Sequence, residues 1–186
     1  MAGIALDVMQ HRLNVEPSHK PVIQKRRHLG AERSVVVAVE VKKLLEASFI
    51  RECHYPEWVS NVVLVKKPNE TWRMCIDFTN INRACLKDSY LLPKIDRLVD
   101  STAGHELLSF MDAFSGYHQI PLAEEDQEKT SFVVDTGLYC YKMMPFRLKN
   151  ARATYQRLVN KVFEPLIEKT MEVYVDDMIT KSIKEG

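Results

Sequence analysis

The sequence of 186 residues predicts an α+β fold with an antiparallel sheet, in one domain or slightly more. Two patterns carry that expectation. Runs rich in β-branched and aromatic residues come in pairs around short polar turns, whereas other stretches space their apolar residues as helices do. Strand-like and helix-like segments also mix without the regular βαβ alternation that builds a parallel sheet.

Taken in order, residues 1–33 read as an irregular basic segment, broken by Pro17 and Pro21. Ser34 is placed as the N-cap of a helix through VVVAVEVKKLLEASFI, whose Val37, Val41, Leu44 and Leu45 share one face. NVVLVKK and TWRMCIDF then flank Pro68-Asn69-Glu70 as a β-hairpin. Lys94–Ser101 reads as a short helix ending near Gly104, and LLSFMDAF as a buried strand closing on an acid. Phe132–Asp135 and Leu138–Met143 flank Thr136-Gly137 as a second hairpin. Asn150–Thr170 has helical periodicity through Tyr155, Leu158, Val159, Val162 and Phe163, with Pro165 expected to kink or interrupt it. MEVYVDDMITKSI reads as two short strands about an acidic pair.

Hydrophobic residues make up 46% and charged residues 27%, values that exclude wholesale disorder. Lys and Arg number 26 against 25 Asp and Glu, which excludes a strongly basic chromatin-type protein. No apolar run approaches a membrane span, and MAGIALDVMQHR lacks the basic start and long apolar core of a signal peptide. Cys53, Cys75, Cys85 and Cys140 have no CxxC spacing, so they read as reduced thiols of an intracellular protein. His54 lacks the other ligands of a metal site, and His105 and His118 read as surface or half-buried residues. Charge is unevenly spread: residues 1–100 carry a net +4 and residues 101–186 a net −3. Lys20, Lys25, Arg26, Arg27 and Arg33 form the densest basic stretch, which suits a solvated surface or a nucleic-acid contact. Composition leaves both open.

Asp112 and the pair Asp176-Asp177 each sit at the end of an apolar strand pattern, Leu107–Met111 and Met171–Val175. A carboxylate at the tip of a buried strand is unfavourable unless paired, hydrogen-bonded or metal-bound. Should neighbouring strands gather these acids, Mg²⁺ with its preference for oxygen ligands relieves their repulsion. Two such ions about 4 Å apart can activate an attacking 3′-hydroxyl and stabilise a leaving pyrophosphate. Spacing alone favours a plainer alternative, a hairpin turn at Asp176-Asp177 and a helix cap at Asp112, because acidic pairs in turns are common.

The wider context points elsewhere. Tyr174-Val175-Asp176-Asp177 resembles the Y-x-D-D signature of reverse transcriptases, and MDAFSGYHQIPL around Asp112 resembles their preceding palm motif. YKMMPFRLKNARATYQRLVNKVF resembles the Pro-Phe-Gly-Leu-Lys-Asn-Ala block of gypsy-class long-terminal-repeat retrotransposons, and SNVVLVKKPNETWRMCIDFTNIN their fingers hairpin. These four blocks stand in family order over roughly residues 35–186. The resemblance implies a fingers/palm fold, with fingers over about 34–105, palm over about 106–186 and no thumb. It implies an RNA-directed DNA polymerase that uses two Mg²⁺ ions, or Mn²⁺, to join a dNTP to a primer 3′-hydroxyl. The partners it implies are a primed RNA or DNA template, the dNTP and the remainder of a Pol polyprotein, in a cytoplasmic particle or the nucleus.

Residue roles follow where positions match. By resemblance, Asp112 and Asp176 ligate both metals, with Asp177 as third member of the acidic cluster. Arg73 contacts the triphosphate, aided by Lys66 or Lys67; an arginine fork suits phosphate oxygens independently. Phe114 and Ser115 stand where backbone N–H groups approach the triphosphate. Tyr117 matches the bulky residue that packs beneath the sugar and excludes a 2′-hydroxyl. Phe146 lines the nucleotide pocket, Tyr174 belongs to the template–primer side, and Gln156 is a template-side or structural residue. Trp72 reads as packing more readily than as base stacking.

The sequence departs from the family at four places. Arg147 and Arg152 replace glycine (or proline, at the second), and Leu86 and Leu92 replace prolines. Glycine beside such a pocket usually permits positive φ or close backbone approach. With glycine as the residue replaced at 152, all four changes fit single G-to-A or C-to-T transitions, the pattern expected of a decaying transposon copy. With nine residues after Asp177, the expectation is a fragment without thumb or RNase H, weakly active or inactive. The alternative is a non-catalytic remnant with at most weak nucleic-acid binding.

Overall fold

The computed structural model describes residues 3–112 and 116–183. The first helical pattern becomes α1 (Ala31–Glu46), which buries Val37 and Val41. It starts earlier than Ser34. Gly30, in an extended conformation, stands at the N-cap without a side-chain bond, and the Ser34 side chain instead hydrogen-bonds Asp135. The helix also stops short of Ile50: Ser48 takes φ +58°, and Ile50 opens β1 (Ile50–Glu52).

The first expected hairpin forms as β2 (Ser60–Lys66) and β3 (Trp72–Ile76), with Val65 opposite Arg73. Then come α2 (Thr79–Ala84), α3 (Ile95–Thr102) and β4 (Leu107–Asp112). A 3₁₀ turn over Gly116–Gln119 and α4 (Glu124–Gln127) lead to the second expected hairpin, β5 (Phe132–Val134) and β6 (Gly137–Tyr141). α5 (Ala151–Val162) ends before Pro165, so the proline follows an interruption and bends no helix. β7 (Met171–Tyr174) and β8 (Asp177–Ser182) complete the described chain.

These strands make two sheets, ordered β1-β6-β5-β2-β3 and β4-β8-β7. Pairing is antiparallel as expected except between β2 and β5, which run parallel. The larger sheet thus draws two strands from beyond residue 106. The smaller sheet carries the acids.

Three further expectations need correction. LLSFMD is a strand, but not a buried one: β4 lies at a sheet edge and Phe110 is 72% exposed. Its apolar character is therefore not matched by a covering layer among the described residues. Residues 3–30 are irregular yet tied down, through bridges of His11 to Leu122, Val15 to Cys85 and Ile23 to Val59, while Ala31–Arg33 already belong to α1. Leu13 enters the core, and its N–H donates to the buried Asp126 carboxylate. His118 is 8% exposed, not on the surface, and stacks on Phe49 and Tyr141. The four cysteines are free thiols. No helix among the described residues is long and apolar enough to cross a membrane.

The loop before α5 is latched to α2. The Asn82 amide donates to the Arg147 carbonyl at 2.7 Å, and its oxygen accepts the Lys149 N–H at 2.8 Å. That loop holds Arg147 at φ +72°, in the left-handed region. A non-glycine residue there costs roughly 1–2 kcal/mol, whereas glycine adds roughly 0.5–1 kcal/mol of unfolded-state entropy. Relief wins. Arg147→Gly should stabilise the protein by about 0.5–1 kcal/mol in urea denaturation; a loss of stability would refute the strain.

Gly116 is a tighter constraint, because a Cβ there would lie 2.6 Å from the Tyr155 hydroxyl and 2.8 Å from its ring. Gly116→Ala should cost about 1–3 kcal/mol by displacing Tyr155, read from the same denaturation curves.

Burial holds His11 and His118 neutral, with each pKa pushed down from 6.5 to about 4. The unfolded chain therefore takes up these protons first. Stability is full above the unfolded value and falls as pH drops toward 4, by roughly 2 kcal/mol per histidine between pH 7 and pH 5. A His118→Phe variant should lose its share of that slope, and an unchanged slope would contradict the buried neutral ring.

Candidate active site

The acidic residues meet through strand register. β7 and β8 form a hairpin in which Tyr174 opposes Asp177, leaving Val175 and Asp176 as the loop. β8 also pairs with β4, and the last register position sets Asp112 opposite Asp177. All three acids thus stand at one end of the smaller sheet. The first loop position of a tight hairpin favours positive φ, and Val175 takes +53°. Val175 is also buried, together with Met171 and Val173, against α5.

Asp177 is exposed, whereas Asp176 is half-buried and shares a hydrogen bond with the Tyr117 side chain. Tyr117 is 7% exposed. Its ring stacks on Tyr155 at 5.2 Å and leans on Phe146 at 5.3 Å. Burial, then the Asp176 carboxylate, push the Tyr117 phenol well above its ordinary pKa, against a smaller opposing pull from Arg152. The phenol therefore stays protonated at neutral pH and donates to Asp176. Phe146 remains 53% exposed, and its ring meets His118 edge-on at 4.9 Å. Tyr117 and Phe146 thus form one aromatic wall beside the acidic turn, bonded to it through Asp176.

Other predicted residues lie elsewhere or outside the described residues. Phe114 and Ser115 fall outside them. Lys66 and Arg73 are exposed on the β2–β3 hairpin of the larger sheet, where Lys66 pairs with Glu70. Trp72 is half-buried under the Arg33 guanidinium, 5.3 Å from its ring centre, a packing role. Tyr174 is half-buried against the core.

Gln156 is fully buried, at 0% exposure. Its Oε1 accepts the Val175 N–H at 2.7 Å, and its Nε2 donates to the Val173 carbonyl at 3.2 Å. Of the two roles open for it, this geometry is the structural one.

Sequence reasoning missed what stands behind Gln156. Nε2 also donates to Asn160 Oδ1 at 2.9 Å, and Asn160 Nδ2 donates to the Tyr90 hydroxyl at 2.7 Å. Tyr90 carries the Arg157 guanidinium 4.5 Å above its ring, and Arg157 makes two bonds to Asp88. The polar i,i+4 pair Gln156/Asn160, on a helix whose core face is mostly apolar, was the available signal.

Comparisons with known proteins agree with this layout. Residues 65–185 match the family described as "Reverse transcriptase (RNA-dependent DNA polymerase)". The chain is 32% identical over 177 residues to the retrovirus-related Pol polyprotein from transposon 297 of Drosophila melanogaster, covering 93% of this chain and 17% of that protein. To the Pol polyprotein from transposon gypsy of the same organism it is 38% identical over 152 residues, covering 79% and 15%. The chain thus spans about a sixth of the length of these relatives. Among solved structures, the foamy viral protease-reverse transcriptase in complex with an RNA/DNA hybrid superposes with a TM-score of 0.81 at 17% identity, covering 92% of this chain and 23% of that one. That likeness concerns the fold alone. A family match over residues 65–185, together with relatives more than 30% identical and a chain that folds into two sheets with an acidic hairpin in register with a third acid, leads to one assignment: the chain belongs to the reverse transcriptase family.

Proposed function

We propose that the acidic hairpin is the nucleotidyl-transfer site of an RNA-directed DNA polymerase domain, within a retrotransposon Pol polyprotein. The observation that carries this reading is the register that sets Asp112 opposite Asp177 with Asp176 in the adjoining turn. Three acidic residues whose backbone positions meet at one sheet end are of the kind that supplies the hard oxygen donors Mg²⁺ or Mn²⁺ takes. Asp112, Asp176 and Asp177 would hold the ions. When bound, a pair of such ions supplies Lewis acidity for attack of a primer 3′-hydroxyl on a dNTP.

The chain's own residues do the rest. Tyr117 and Phe146 form an aromatic wall against which a nucleotide sugar and base can rest, and the Tyr117 phenol orients Asp176. Arg73 and Lys66, on a separate hairpin, are free of the core and suited to phosphate oxygens. By resemblance, Phe114 and Ser115 would offer backbone N–H groups to the triphosphate. The primed RNA or DNA template is the partner, by analogy with the hybrid held by the foamy viral enzyme. Thumb and RNase H segments of a longer Pol protein would hold the duplex. Tyr174 would face that duplex, and Gln156 would act on it only through the hairpin.

A second reading, a remnant that only binds nucleic acid weakly, is favoured by one observation: the strained Arg147 beside the pocket. Primer extension on a primed RNA template with Mg²⁺ separates the two. The 186-residue protein should add at most a few nucleotides, and Asp176→Asn should abolish that addition. Extension unaffected by Asp176→Asn would sink the site assignment. Absence of any extension, with salt-sensitive filter binding retained, would favour the remnant.

A further inference from the structure

We infer that Gln156 is a positioning residue for the acidic turn, held in place by Asn160 and Tyr90. The inference rests on the metal-site reading above for its chemical purpose, and on geometry for everything else. Val175 is β-branched, buried and at φ +53°, a combination that costs of order 1–3 kcal/mol unless its surroundings impose it. Its N–H points into the protein, where an unpaired amide is unfavourable. Gln156 answers both needs. Its oxygen takes the Val175 N–H while its nitrogen holds the Val173 carbonyl, so one amide grips the strand and the turn together.

An amide can rotate about its last torsion, and exchange of its O and N ends would destroy both bonds. The Val175 N–H and the Val173 carbonyl fix which end is oxygen, and Asn160 adds a third bond by accepting from Nε2. Asn160 Nδ2 in turn donates to the Tyr90 hydroxyl, which holds the side chain in place. Tyr90 lies beside Asp88, whose carboxylate accepts the Tyr90 N–H at 2.8 Å and the two Arg157 bonds. The segment from Asp88 to Tyr90 therefore reaches the acidic turn through three consecutive side chains. Asp176 is the next residue after the gripped amide, so a carboxylate meant to hold a cation is placed by a group that never touches it. Partners of this kind typically change metal affinity by 10- to 100-fold.

The test compares wild type with Gln156→Met, Asn160→Ala, Tyr90→Phe and the double variant Gln156→Met/Val175→Gly. Hydrogen exchange at the residue-175 amide is followed by NMR, and binding of Mn²⁺ alone by electron paramagnetic resonance. Gln156→Met should speed exchange at Val175 and weaken Mn²⁺ binding about tenfold; Asn160→Ala and Tyr90→Phe should do both more mildly. In the double variant, Mn²⁺ affinity should partly recover while the melting temperature falls further. Glycine accepts positive φ but leaves a buried space empty. Were Gln156 no positioning residue, the double variant would lose affinity together with stability relative to Gln156→Met, and that outcome overturns the inference. So does unchanged Val175 exchange in Gln156→Met, or in Asn160→Ala and Tyr90→Phe should Gln156→Met not fold. Wild-type Mn²⁺ binding that ignores Asp176→Asn overturns the metal-site reading instead, with the exchange data judging Gln156 separately.

Discussion

A tight hairpin has to place one buried valine in a conformation that suits glycine, and much of the smaller sheet is arranged around that demand. β7 and β8 cannot keep Tyr174 opposite Asp177 unless Val175 turns to positive φ. Val175 cannot stay there with its N–H buried unless an acceptor reaches it from α5. α5 must therefore pack against β7, and Gln156 must lie on the packed side. The same helix presents Tyr155 to Tyr117, and Tyr117 bonds Asp176. Hairpin, helix and aromatic wall are in this sense one device, with the acidic turn at its centre.

The loop leading into α5 shows how such a device survives a poor residue. Arg147 stands where a glycine is favoured, yet its side chain is exposed and meets no clash that would push the helix away. The strain is confined to the backbone, of order 1–2 kcal/mol. Asn82 opposes it with two bonds, each worth about 1 kcal/mol net. The terms are comparable, so the loop keeps its shape and α5 its start. Arg152 is different. It adds charge rather than strain, and its guanidinium already bears on the Tyr117 phenol.

Periodicity and turn chemistry made much of the fold legible. Both hairpins, α3, α5 and the terminal strand pair lie where alternation, apolar spacing, Gly137 and Pro165 put them. Errors arose where a long-range partner outweighed a local preference. Ser34 has the chemistry of a cap, but Asp135, about a hundred residues away in sequence, takes its side chain. LLSFM has the composition of a buried strand, but composition does not say what covers it. His118 is polar in isolation and buried because Phe49, Tyr141 and Phe146 surround it. At the site, strand ends located the three acids, whereas the Gln156–Asn160–Tyr90 chain spans positions that only the fold brings together.

The basic N-terminal stretch gains a third role that composition could not offer. Arg26 pairs with Asp135, Arg27 lies 3.5 Å from Asp77, and Arg33 covers Trp72. These contacts tie the irregular segment and α1 to the edges of the larger sheet. They are also largely solvent-exposed, where an ion pair contributes little and is screened by salt. A phosphate could therefore displace Asp135 or Asp77 with little loss, because it offers the same guanidinium more charge and more acceptor oxygens. Holding the segment in place and meeting a nucleic acid are then compatible uses of the same arginines. The first requires only that a few arginines be engaged at any moment, and the positive end of the charge division is available for the second.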